Sequence, residues 1–124
     1  MARILLAEDE EPLRTLLVRA FADRHDVTAV ADGGEALDVL VREQGRFDLI
    51  LTDIRMPVMD GIALALVAAR EYPDVVILLM TGFADQRERA QGLEALIHDV
   101  VTKPFSLDAI RRAVGEALAT KTRH

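Results

Sequence analysis

The chain has 124 residues, no cysteine and a formal net charge of −6. That length suits one domain, expected over residues 1–124 with no output domain, and lets the fold bury about two-thirds of its unfolded surface. The composition excludes disulfide and thiol chemistry, and the acidity argues against a broad nucleic-acid footprint, which needs clustered Lys and Arg. No apolar run approaches the ~20 residues of a membrane span. Met1-Ala2-Arg3-Ile4 enters a strand without a signal-peptide pattern, so a cytoplasmic protein with no membrane partner is expected.

Short apolar runs alternate with segments of helical period. The first strand is predicted over Arg3–Ala7. A helix follows from near Glu10, with Pro12 in its first turn and Leu13, Leu16, Leu17 and Ala20 on one face. A weak second strand spans Val27–Val30. Asp32, Gly33 and Gly34 break it, and Glu35–Arg42 reads as the second helix. Strand three is Asp48–Thr52. Pro57, Asp60 and Gly61 mark a loop before a third helix, Ile62–Glu71. Strand four is Val75–Met80, and a fourth helix is predicted over Asp85–Leu96 although Gly92 weakens it. Strand five is His98–Thr102, and Ser106 is a plausible N-cap for the last helix, Leu107–Ala119.

Such alternation argues an α/β fold, a doubly wound five-stranded parallel sheet with helices on both faces. Of the two common doubly wound orders, 2-1-3-4-5 suits five units and sets strands one and three side by side. Ligands in such sheets bind beyond the carboxyl ends of the strands. At those ends stand Glu8 and Asp9, Asp53, Thr81 and Lys103.

This set suits divalent-metal binding and phosphoryl transfer. Three carboxylates within a few ångströms repel one another unless some are protonated or a cation sits among them. Magnesium accepts one or two carboxylates plus a phosphoryl oxygen. A carboxylate can attack phosphorus and form an acyl phosphate. Asp53 is the preferred nucleophile because it ends a central strand before a long loop, whereas Asp9 starts a helix and suits the metal. Lys103 supplies fixed positive charge, the Thr81 hydroxyl can donate to a phosphoryl oxygen, and Gly82 leaves room for the incoming group. The three histidines share no metal-ligand spacing and read as structural or solvent-facing. Taken singly, each acid also reads as a helix cap, Thr81 as a strand end and Lys103-Pro104 as a turn.

The pattern Glu8-Asp9, Asp53 with Met56-Pro57 and Asp60-Gly61, Thr81-Gly82 and Lys103-Pro104-Phe105 resembles the receiver domain of bacterial response regulators, the CheY-like flavodoxin-like sandwich. The resemblance implies that Asp53 is the phosphoacceptor in a two-component phosphorelay, fed by a histidine kinase or a histidine phosphotransfer protein. It implies Mg²⁺ held directly by Asp9 and Asp53, by Glu8 through water and by the backbone carbonyl of Arg55. Thr81 and Lys103 would be the switch hydroxyl and the family's lysine, and Lys103-Pro104 a cis bond. Arg55 and Phe83 would flank the acyl phosphate and tune its hydrolysis. Output would pass to a downstream protein through the fourth helix, fifth strand and fifth helix, where Arg87, Arg89, Arg111 and Arg112 fall. The chain would be a monomer or a weak dimer. The opening residues and Met80-Thr81-Gly82-Phe83 also resemble stand-alone receivers that serve as proteolysis adaptors in alphaproteobacteria.

Many receivers carry an aromatic residue three places before the lysine, where this chain has Val100, read here as a strand residue. Other readings fare less well. An aspartate-nucleophile phosphohydrolase wants an acid where Arg55 stands. A flavin module wants a neutral phosphate loop where Glu8-Asp9-Glu10-Glu11 stands. A degenerate receiver that binds partners without phosphorylation remains as the alternative.

Overall fold

A computed structural model describes residues 1–82 and 89–122. In chain order they form β1 (Arg3–Ala7), α1 (Glu11–Phe21), β2 (Asp26–Val30), α2 (Gly33–Arg42), β3 (Leu49–Asp53), α3 (Gly61–Glu71), β4 (Val76–Thr81), β5 (Asp99–Thr102) and α4 (Leu107–Thr122). All strand pairs are parallel, and the sheet order is β2-β1-β3-β4-β5, as expected.

The two-residue period of the strands sorts their side chains between two cores. Leu5, Ala7, Ile50, Ile77 and Leu79 face α2 and α3, where Ala36, Leu40, Leu64 and Ala68 meet them. Ile4, Leu6, Leu49, Leu51, Leu78 and Met80 face α1 and α4, against Leu17, Phe21, Ile110 and Val114. Because β1, β3 and β4 are covered on both sides, their sequences are nearly continuous apolar runs. Each fully buried Leu or Ile contributes roughly 1.5–3 kcal/mol, so these runs fix the central strands firmly.

Caps set the helix starts. Asp32 accepts from the Glu35 N–H, Asp60 from Ala63 and Ser106 from Ala109. The sequence starts the second helix at Glu35, but Gly33 and Gly34 form its first turn. A Cβ on Gly33 would collide with the Met59 carbonyl oxygen, so the missing side chain lets α2 approach the loop after β3.

The predicted fourth helix is corrected in its second half, while Arg89 is helical. Part of it falls on residues 83–88, outside the described residues. Residues 90–96 form turns instead, with Gly92 at φ +90° and short-range bonds from Leu93 to Ala90 and from Leu96 to Leu93. The left-handed glycine outweighs the helical spacing of Leu93 and Leu96. Lys103-Pro104 is cis, as the family resemblance implies. No helix among the described residues is long and apolar enough to cross a membrane.

Two local features carry consequences. Val58 sits at φ +70° and is 86% exposed, a β-branched residue held in the left-handed region with little packing to compensate. Replacing Val58 with Gly is expected to raise unfolding stability by about 1 kcal/mol, measured by urea denaturation.

His25 follows α1, and its Nδ1 accepts the Ala2 N–H at 3.1 Å, which requires a neutral ring. Burial, then the nearby N-terminus and Arg24, hold its pKa below the usual histidine value. The unfolded chain therefore takes the proton first. The contribution of His25 to stability is full above the ordinary value of about 6.5 and is lost as pH falls from there through the lower folded-state value. Urea titrations of wild type and His25→Asn across that range are expected to diverge at neutral pH and converge in acid.

Candidate functional site

The sheet order brings the ends of β1 and β3 together, and β5 lies two strands away beyond β4. Glu8 extends β1 by one step, its N–H donating to the Val30 carbonyl. Its side chain is fully buried. Oε1 accepts from Lys103 Nζ at 2.8 Å and Oε2 from the Glu10 N–H at 3.0 Å. Asp9, the next residue, is exposed. Asp53 ends β3 and is 6% exposed. Its Oδ1 accepts the Ile54 N–H at 2.9 Å, and its Oδ2 accepts from Lys103 Nζ at 3.1 Å.

Lys103 thus bridges two carboxylates from separate strands. Its own backbone N–H donates to the Thr81 carbonyl at 2.7 Å, which fastens the loop after β5 to the end of β4. Thr81 is fully buried and pairs in register with Thr102. Glu8, Asp9 and Asp53 each offer an oxygen within 4.8 Å of the others.

Electrostatics follow from this crowding. Burial pushes the Glu8 carboxyl up, and Asp53 adds to it, against the pull of Lys103 and the Glu10 N–H. Burial likewise raises Asp53, with Asp9 adding, while Lys103 and the Ile54 N–H oppose. For Lys103, burial alone would lower the ammonium, but the bonds to Glu8 and Asp53 outweigh it and raise its pKa. Three carboxyl groups face one ammonium, a residual excess of acid over base. An oxygen-only donor set with that residual charge fits a hard divalent cation such as magnesium.

The structure therefore brings together Glu8, Asp9, Asp53, Thr81 and Lys103 at one sheet edge. Arg55 lies two residues past Asp53 with its side chain exposed. Val100 belongs to β5, pairs with Leu79 and packs against the core, in keeping with its reading as a strand residue. Phe83 and Arg87 lie outside the described residues. Arg111 reaches back to the Ala20 carbonyl of α1, and Arg89 pairs with Asp60 at 2.7 Å. The sequence reading missed Arg14, whose Nη1 donates to the Glu8 carbonyl at 2.9 Å. An arginine one turn into a helix that begins beside four acids was the available signal.

Residues 4–115 match the profile of the response regulator receiver domain. The chain is 42% identical over 108 residues to the response regulator receiver protein CpdR of Brucella abortus, covering 86% of this chain and 88% of that protein. It is 34% identical over 123 residues to sporulation initiation phosphotransferase F of Bacillus subtilis, covering 97% and 96%. The response regulator TrrA of Thermotoga maritima, solved with Mg²⁺ and BeF, superposes with a TM-score of 0.82 at 27% identity, covering 94% of this chain and 99% of that one. The chain belongs to the response regulator receiver domain family. It also spans 42% of the length of several transcriptional regulators that it matches.

Removing the Asp53 charge relieves burial and repulsion while Lys103 keeps Glu8. Asp53→Asn, in the presence of a chelator at neutral pH, is expected to be more stable than wild type by on the order of 1 kcal/mol, measured by urea denaturation.

Proposed function

We propose that the chain works as a phosphorylation-controlled switch in two-component signalling, with Asp53 as the phosphoacceptor. The observation that carries the reading is the Lys103 ammonium bound to both Asp53 and Glu8, with Asp9 beside them. In the transfer, an Asp53 Oδ attacks phosphorus, the P–N bond of a phosphohistidine donor breaks, and its electron pair stays on the imidazole. The product is an acyl phosphate on Asp53. The donor is a histidine kinase or a histidine phosphotransfer protein.

Asp9 and Asp53 would hold Mg²⁺, with Glu8 acting through water and the Arg55 carbonyl as a further ligand. Bound there, the ion supplies charge neutralisation for the phosphoryl oxygens. Lys103 would accompany the transferred group, a role supported by the contact of its Nζ with Asp53 Oδ2. Thr81 supplies a hydroxyl from the end of β4. Arg55 and Phe83 are the residues proposed to tune loss of the phosphoryl group, and Thr81 and Val100 to take part in the switch. Output passes by protein contact from a monomer or weak dimer in the cytoplasm. The protein accepts and releases a phosphoryl group and is not a turnover enzyme.

The alternative, a partner-binding module indifferent to phosphorylation, lacks comparable support, because every group the chemistry needs is present. The likeness to TrrA, solved with Mg²⁺ and BeF, supports the metal assignment.

The test is intact-mass measurement after incubation with acetyl phosphate and Mg²⁺. Wild type is expected to gain one phosphoryl group, with no gain for Asp53→Ala or when a chelator replaces Mg²⁺. An adduct that survives Asp53→Ala, or no adduct on wild type, defeats the assignment.

A further inference from the structure

Arg14 stands at the end of the first turn of α1, half-buried, and turns back toward the strand end. Its Nη1 donates to the Glu8 carbonyl at 2.9 Å. That carbonyl belongs to the peptide that carries the Asp9 N–H, and a peptide unit is planar. The bond therefore fixes the plane from which the Asp9 side chain departs. Other ties of this loop run through its two flanking residues: the Glu8 N–H to Val30, the Glu8 carboxylate oxygens to Glu10 and Lys103, and the Glu10 carbonyl to the Arg14 N–H. Those ties hold Glu8 and Glu10 on either side of Asp9. Asp9 is exposed, so the direction of its carboxylate depends on the peptide that Arg14 clamps.

We propose that Arg14 is a positioning residue for the divalent cation, acting through the Glu8–Asp9 peptide. The inference rests on the reading that Asp9 and Asp53 hold Mg²⁺. Two physical effects of Arg14 oppose each other, and that makes the idea testable. As a positive charge on the peptide between Glu8 and Asp9, the guanidinium repels a cation, so its removal by charge alone tightens Mg²⁺ binding. As a clamp, it orients a ligand, so its removal weakens binding. Loss of a partner that orients a metal ligand costs 10–100-fold in affinity. Arg14 acts on the peptide and not on the carboxylate, so the effect belongs at the lower end, about tenfold.

Amide NMR titrations with MgCl₂ on wild type, R14Q, R14K and D9N decide between these. Wild type is expected to saturate and D9N to lose most of the response. The Mg²⁺ Kd of R14Q is expected to rise about tenfold, with R14K between it and wild type. Phosphorylation of R14Q by acetyl phosphate is expected to slow at limiting Mg²⁺ and to regain the wild-type rate at saturation. R14M, which keeps the aliphatic stem, is run beside R14Q and carries the test if R14Q does not fold. An unchanged or tighter Kd in a folded neutral variant overturns the role of Arg14 while D9N upholds the metal site. A purely structural role, seen as a lower unfolding temperature with unchanged Kd, overturns it as well. If wild type shows no saturable response to Mg²⁺, the metal assignment and this inference fail together.

Discussion

The Lys103 ammonium is the contact on which the site depends. It lies between a carboxylate at the end of β1 and another at the end of β3, at 2.8 and 3.1 Å. Without it, two buried acids would face each other with no counter-charge, an arrangement that costs several kcal/mol. With it, the cluster still carries surplus negative charge, which keeps the pocket receptive to a divalent ion. The lysine thus makes the acid cluster tolerable without saturating it. The apparent opposition between burial and ionisation at Glu8 and Asp53 is the source of that receptivity.

The fold serves this contact through topology. Crossing from β1 by way of β2 to β3 places residues 8 and 53 on adjacent strand ends, and β4 carries Thr81 to the same edge. The two cores anchor the strands on both faces, so the charged groups are presented from a stiff edge. Small residues finish the work. Gly61 follows the loop after β3, and a Cβ there would strike the Asp53 carbonyl oxygen, so glycine lets the loop close over the strand end.

Much of this was legible in the amino-acid order. The buried runs are unmistakable because parallel strands covered on both faces need no polar alternation, and the strand order follows from five alternating units. Strand ends were off by one at Asp53 and Thr81, because polar side chains look like boundaries although the backbone ladder continues beneath them. The glycines at 33 and 34 read as breakers, since nothing local reveals the Met59 carbonyl against Gly33 or the Val58 side chain against Gly34. Leu93 and Leu96 carried a helical spacing that Gly92 overrides. At the site, the residue types were readable, but their division of labour was not. Burial of Glu8 and exposure of Asp9 are tertiary facts. The partner of Arg14 is a main-chain carbonyl, which leaves no mark in side-chain identity.

One detail of the β3 terminus bears on how the molecule can respond to new charge. The Ile54 N–H donates to Met80, and the Gly61 N–H donates to Ile54. The main chain just beyond Asp53 is stitched to β4 on one side and to the start of α3 on the other. The carboxylate therefore has a nearly immovable root. Were that carboxylate modified as proposed, the response would fall to groups outside the stitching, above all the long stem of Lys103 that reaches it. A fixed root of this kind would turn any added charge into a pull on its counter-ion before the strand itself moved.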